Sequence, residues 1–155
     1  MTQEEREKIL VENLQENFNL LKEAISILKH SYKKCQKIGL KAKLSLDELE
    51  SFESLTSRFA RASDILIQKV FKTIAALSLE EINTMIDRLN YMEKINVIES
   101  VKAFKEIRRL RNTIAHEYVV EDLNELFKDV LEYSNVLSET VKKVDNYIKT
   151  KYLSP

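Results

Sequence analysis

The sequence predicts an all-α protein, a single up-and-down bundle of about five helices that spans residues 1–155 as one domain. The chain contains one glycine and one proline, and that proline is its last residue, so little interrupts helix formation. Apolar residues recur at alternating steps of three and four, which is the spacing of one buried helix face. No internal repeat, linker or low-complexity segment divides the chain, so we expect one core.

The first predicted helix fills the N-terminal part of the chain up to Gly39. Gly39 stands where a helix C-terminal cap is expected, because glycine adopts positive φ without steric cost. The apolar residues expected on the buried face of this helix are Leu10, Leu14, Phe18, Leu21, Ile25, Leu28, Tyr32 and Cys35.

Two capping-box patterns predict where the next helices begin. SLDE, at residues 45–48, predicts a second helix that runs to about Leu77. SLEE, at residues 78–81, repeats the pattern and predicts a shorter third helix that runs to about Tyr91.

Two further helices are expected in the C-terminal half, the fourth from about Ser100 and the fifth from about Glu121 to Thr150. The apolar seam of the fifth helix has two interpretations, a coiled coil or antiparallel packing inside a bundle, and the short preceding loop favours the bundle. The seam consists of Leu123, Phe127, Val130, Ser134, Leu137, Val141, Val144 and Ile148.

The composition excludes several classes of function. With two histidines and one cysteine, a zinc site of nitrogen and sulfur ligands is nearly excluded, and one glycine excludes a glycine-rich phosphate loop. The single cysteine excludes an internal disulfide and fits a reducing cytosol. The sequence has no apolar run of the roughly 18 residues that cross a bilayer, and MTQEEREKIL lacks a signal-peptide layout. We therefore expect a cytoplasmic protein that needs no membrane, metal or cofactor.

Positive charge clusters in two places although the formal net charge is zero. Each cluster is either a solvated helix surface or a surface that binds nucleic acid, and in the second case Arg108 and Arg109 would contact RNA. One group contains Arg108, Arg109 and Arg111, and the other contains Lys29, Lys33, Lys34, Lys37, Lys41 and Lys43.

The octapeptide RNTIAHEY, residues 111–118, lies at the predicted end of the fourth helix. On a helical wheel Arg111 and Tyr118 fall near the edge of the predicted buried face, whereas His116 falls on the opposite side. Arg111 and His116 are therefore about 140° apart, so one straight helix cannot aim both at one phosphate. Either the helix ends or distorts between them, or a second subunit supplies the complement. The predicted buried face consists of Ala103, Ile107, Leu110 and Ile114.

The residue types in this segment suit RNA chemistry without a metal. Histidine exchanges a proton near neutral pH, arginine offers a fork that fits phosphate, and Asn112 can hold the histidine tautomer or a phosphate oxygen. In the matching reaction the RNA 2′-hydroxyl attacks the adjacent phosphate. The structural alternatives are that His116 complements the helix dipole, that Tyr118 belongs to the core and that His30 lies on the surface.

Residues 111–118 resemble the R-x4-H-x-Y signature of the HepT toxins, a branch of the HEPN superfamily, with Asn112 as the polar residue after the arginine. The resemblance extends over essentially the whole chain, including residues 51–71, which look like the second helix of this family. It implies a homodimer with a shared cleft, endoribonuclease activity and a minimal nucleotidyltransferase (MNT) antitoxin as partner. It also implies that Arg111 and His116 are catalytic with support from Asn112, and that AMP transferred to Tyr118 silences the enzyme.

Two other interpretations belong to different functional classes. The protein would be a non-catalytic nucleotide- or protein-binding partner of a nucleotidyltransferase, or a scaffold bundle in which the motif is coincidental. Within residues 51–71, Arg58, Arg61 and Asp64 recur at spacings of three, which fits either intrahelical ion pairs or a role in the cleft.

Overall fold

The computed structural model describes residues 1–116 and 123–153, which form six α-helices and two π-helical turns. In chain order these are α1 (Gln3–Ile38), α2 (Leu46–Asp64), a π turn (Ile65–Val70), α3 (Phe71–Leu77), α4 (Met85–Lys94), α5 (Val101–Ala115), α6 (Leu123–Ile148) and a C-terminal π turn (Lys149–Leu153). Because α2, the first π turn and α3 follow one another without a break, the described residues form five rods. The all-α class and the number of about five helices are confirmed.

The first two rods run antiparallel. Arg58 donates a hydrogen bond to the hydroxyl of Ser31 at 2.7 Å, and Asn17 donates one to the hydroxyl of Thr73 at 3.5 Å. Residue numbers therefore fall along α1 as they rise along the second rod. This is the arrangement of an up-and-down bundle.

The last helix packs antiparallel to the first. The amide of Asn124 donates to the carbonyl of Lys41 at 2.8 Å, and the amide of Asn135 donates to the hydroxyl of Tyr32 at 3.0 Å. Antiparallel packing inside a bundle, the favoured interpretation of the α6 seam, is therefore confirmed. Every residue of the predicted seam is buried except Leu123, which is half-buried.

Phenylalanine rings join α5 and α6 to the second rod. Phe52 stacks on Phe127 of α6 with a centroid separation of 4.8 Å, and Phe71 meets Phe104 of α5 at 5.6 Å. All four rings are buried, so they belong to the common core. Among the described helices, none has both the length and the apolar content needed to cross a membrane.

The predicted start of the third helix is wrong. Ser78 donates to the carbonyl of Ala75 at 2.8 Å and thereby closes α3 instead of opening the next helix. The actual cap is Thr84, whose hydroxyl accepts from the N–H of Asp87 at 3.1 Å, and Asp87 accepts in return from Thr84. Two capping patterns compete in this segment, and the one further along the chain begins the helix. The helix also ends later than expected, at Lys94 rather than at Tyr91.

We expect Thr84→Ala to lower the free energy of unfolding by about 1 kcal/mol, because it removes the cap of α4. Urea denaturation followed by circular dichroism measures this change. Ser57→Ala is the control, since Ser57 is exposed inside α2 and alanine is a good helix former. If Ser78 rather than Thr84 capped this helix, Thr84→Ala would behave like the control.

A π turn interrupts the second rod. The N–H of Phe71 donates to the carbonyl of Leu66, five residues earlier instead of four. Four of the six residues of the turn are buried, whereas Gln68 and Lys69 are exposed. Such turns occur frequently at functional sites, and the functional candidates of α5 lie beside this one.

Candidate functional site

Arg111 lies in the last turn of α5, close to the buried face of this helix. The buried residues of α5 are Phe104, Ile107 and Leu110, whereas Ala103 and Ile114 of the predicted face are only half-buried. Arg111 follows Phe104 by seven residues, which places both on nearly the same side of the helix. This position explains why its side chain is only 37% exposed.

Asp64, the last residue of α2, holds the guanidinium of Arg111 from the neighbouring rod. The Nε of Arg111 donates to Oδ1 of Asp64 at 2.7 Å, and Nη2 donates to Oδ2 at 2.9 Å. This hydrogen-bonded contact and the negative charge of Asp64 raise the pKa of Arg111. The carboxylate thus fixes the plane of the fork while the donors of Nη1 stay available to another acceptor.

The intrahelical interpretation of Asp64 is therefore wrong, because its partner is Arg111 across 47 positions of sequence. Arg58, for its part, contacts Ser31 of α1.

A cavity of about 440 Å³ opens between the π turn and α5, and we name it the α5 cavity. Its wall combines apolar surface from Ile65 and Ile67 with polar side chains from both elements. The polar side chains of the π-turn side and of α5 include Asp64, Gln68, Lys69, Arg108, Arg111 and Asn112.

Positive charge dominates this cavity. Lys69 and Arg108 have no carboxylate within ion-pair distance in residues 1–116 and 123–153, and Asp64 is the single acid in the lining. Behind the wall, Arg88 of α4 donates to the carbonyl of Ile67 at 3.2 Å. Burial, and then the nearby charge of Arg108, lower the pKa of Arg88. Among the described residues, three cations and one carboxylate line the cavity and Arg88 lies next to its wall, which makes the α5 cavity a candidate anion site.

His116 lies just beyond the end of α5. The helix ends at Ala115, and the backbone leaves the helical path at His116, which has φ −91° and ψ 22°. The N–H of His116 donates to the carbonyl of Asn112 at 3.1 Å, and its side chain is exposed. Of the two intramolecular alternatives, the helix ends between Arg111 and His116. His116 does not line the α5 cavity, so these two residues are not brought together there.

Arg108 and Arg109, both predicted to contact RNA, lie in different surroundings. Arg108 lines the α5 cavity, whereas Arg109 is absent from its lining. Nε of Arg109 donates to Glu106 at 2.8 Å, and its Nη2 lies 3.9 Å from Asp129 of α6. The two arginines therefore point to different parts of the surface.

The remaining sequence candidates are either separate from this site or outside the described residues. His30 lies at the surface, as expected, and lines a second cavity of about 500 Å³ between α1 and α2. Tyr118 lies outside the described residues. Within 1–116 and 123–153 no cluster of three or more histidine, cysteine or acidic residues is arranged to hold a metal ion.

Sequence reasoning did not identify Gln68, Lys69 and Arg88 as members or neighbours of the site. Gln68 and Lys69 have no pattern of their own, since only the π turn places them beside α5. Arg88 has no local signal either, since its contact with the carbonyl of Ile67 spans 21 positions of sequence.

Comparison with known proteins gives no family assignment: no protein-family model, curated protein or solved structure matches this chain.

Proposed function

We propose that this protein is a metal-independent endoribonuclease in which Arg111 and His116 act on an RNA phosphate. The observation that carries the proposal is the oriented guanidinium of Arg111, held by both oxygens of Asp64 at the mouth of a cationic cavity. His116 follows five residues later, exposed at the C-cap of α5. This arrangement supports phosphate binding at Arg111, with an accessible proton donor at the end of the same helix.

The reaction that we propose transfers the phosphate within the RNA itself. The 2′-oxygen forms a bond to the adjacent phosphorus and its proton passes to water, while the bond from phosphorus to the 5′-oxygen breaks. His116, in its protonated form, donates a proton to that leaving oxygen, and Arg111 stabilises the negative oxygens of the pentacoordinate phosphate. The products are a 2′,3′-cyclic phosphate and a 5′-hydroxyl. Asn112 would support the site from the same turn.

We infer that two copies of the chain complete the site. Arg111 lines the α5 cavity and His116 does not, so a second copy that contributes its histidine would bring both groups to one phosphate. The exposure of His116 and the partial exposure of Arg111 are compatible with such a cleft.

The proposal includes a regulatory partner, on the basis of the resemblance of residues 111–118 to the HepT signature. In this proposal the protein is a toxin and an MNT nucleotidyltransferase is its antitoxin. AMP transferred to Tyr118 silences the toxin. The added phosphate would introduce a negative charge that competes with RNA for the cationic site.

A second candidate function is a nucleotide- or protein-binding subunit of a nucleotidyltransferase without chemistry of its own. The observation that favours it is the absence of His116 from the α5 cavity, which leaves that cavity with binding groups alone.

Incubation of the purified protein with single-stranded RNA in EDTA tests the proposal. We expect fragments with a 2′,3′-cyclic phosphate and a 5′-hydroxyl, identified by mass spectrometry. The control is the same oligonucleotide with 2′-deoxyribose at every position, which lacks the nucleophile and must stay intact. Binding of RNA or nucleotide without any cleavage would reject the nuclease and support the binding subunit.

A further inference from the structure

We propose that the α5 cavity is a subsite for one nucleotide of a single-stranded RNA, in which Lys69 and Arg108 bind the phosphate next to the one held by Arg111. This inference deepens the proposed function and rests on it for the identity of the ligand. It assigns Lys69 and Gln68, which lie in the π turn, to substrate binding.

The size and composition of the α5 cavity fit a nucleotide. Its volume of about 440 Å³ lies in the range of about 300–1,000 Å³ that is typical of small-molecule sites. Gln68 and Asn112 provide amide groups for the polar edge of a base, and the cationic side chains provide donors for its phosphate. The lining thus provides groups that can contact the base and the phosphate of a nucleotide.

The excess of positive charge in the cavity favours binding of an anion. Among the described residues, Lys69, Arg108 and Arg111 line the cavity together with a single carboxylate, although acidic and basic residues are equal in number over the chain. The mutual repulsion of these cations is relieved when a phosphate binds among them. Asp64 forms its ion pair with Arg111. The other cations at the cavity, Lys69, Arg88 and Arg108, have no ion-pair partner among the described residues. Arg88 lies behind the wall, so Lys69 and Arg108 are the ones that can contact a ligand.

The cations line the cavity from both of its sides. Arg108 and Arg111 are separated by about one turn of α5. Lys69 faces Arg108 across the cavity, from the other rod.

Side-chain hydrogen bonds hold the backbone of the π turn in place. Arg88 satisfies the carbonyl of Ile67, and the hydroxyl of Thr73 donates to the carbonyl of Lys69 at 2.8 Å. Thr73 in turn accepts from Asn17 of α1 at 3.5 Å. The backbone of Lys69 is therefore fixed before a ligand arrives, which lowers the entropic cost of binding.

Fluorescence anisotropy with a labelled single-stranded RNA that carries 2′-O-methyl groups tests the subsite in EDTA, because this RNA binds without being cleaved. We expect Lys69→Gln and Arg108→Gln each to weaken binding by about fivefold or more. Each should also reduce the slope of log affinity against log salt by about 0.7. Lys128→Gln is the matched control, since Lys128 is an exposed lysine of α6 outside the cavity. Circular dichroism confirms that the variants are folded.

Loss of affinity in Lys128→Gln equal to that in Lys69→Gln would overturn the subsite, because the effect would then belong to the total charge. An unchanged salt slope in both cavity variants would do the same. AMP and inorganic phosphate form the competing arms. If AMP displaced the RNA at micromolar concentration and lost this ability in Lys69→Gln, a free nucleotide would replace RNA as the occupant.

The outcome is independent of the nuclease test. A cavity-dependent loss of binding in a protein that never cleaves RNA would reject the nuclease and keep the subsite. RNA cleavage together with unchanged binding in Lys69→Gln and Arg108→Gln would reject the subsite and keep the nuclease.

Discussion

His116→Ala is expected to lower the rate of RNA cleavage by about 10²–10⁴-fold, the range for loss of a general acid, because the leaving 5′-oxygen then departs without a proton. Single-turnover cleavage of a labelled RNA in EDTA measures the rate directly. Affinity for the non-cleavable 2′-O-methyl RNA should change little, since His116 lies outside the α5 cavity.

The chain provides its own control for this experiment. His30 is the only other histidine, and it lines the separate cavity between α1 and α2. His30→Ala should therefore cleave at the wild-type rate. Equal rates for wild type and His116→Ala would remove the histidine from the mechanism, and equal losses in both variants would indicate a general effect on the fold.

The burial pattern of the long helices could be derived from the sequence because it depends on local spacing. Seven of the eight seam residues predicted for α6 are buried, and in α1 the exceptions Leu10 and Tyr32 are half-buried. An amphipathic helix has one way to bury its apolar stripe, so the period alone identifies the core face. The antiparallel packing of the first two rods fits the short connection between them.

The π turn could not be predicted from the spacing of apolar residues. Residues 65–70, ILIQKV, have helix-compatible spacing, and nothing local distinguishes a five-residue hydrogen-bonded step from a four-residue one. The extra residue is accommodated by contacts from distant parts of the chain, notably Arg88 on the carbonyl of Ile67. Long-range contacts of this kind have no periodic signal in the sequence.

The partner of Arg111 was missed for a related reason. Asp64 has basic residues at spacings that suit intrahelical pairs, and the local interpretation was therefore the more economical one. The end of α2 brings Asp64 opposite the end of α5 instead, where a bidentate contact is possible. The wheel angle of about 140° predicts either an end of the helix or a second subunit; α5 ends before His116, and His116 does not line the cavity beside Arg111.

Asp64→Asn is expected to separate catalysis from binding. Without the carboxylate the fork of Arg111 loses its fixed plane, so the single-turnover rate should fall by about tenfold or more, as expected when a positioned group is displaced. At the same time the cavity loses the one carboxylate among its described lining residues, and affinity for RNA should rise. A lower kcat together with a lower KM identifies Asp64 as a positioning residue. Asp145→Asn, which breaks a remote pair with Lys149, is the matched control.

Variants of Arg111 test whether Asp64 acts through the guanidinium fork. Arg111→Lys keeps the charge but loses the fork, and we expect the rate to fall by about 10²–10³-fold, the range for loss of a donor to a developing oxyanion. Adding Asp64→Asn to Arg111→Lys should lower the cleavage rate little further, because the carboxylate acts through the guanidinium fork that Arg111→Lys has already removed.

The stability of the fold should change little in these variants. Since both partners are more than one third exposed, their pair stabilises the fold by at most about 1 kcal/mol, and thermal unfolding should hardly change. Additive losses in the double variant, or a large loss of stability in Asp64→Asn, would mean that the pair serves the fold rather than the reaction.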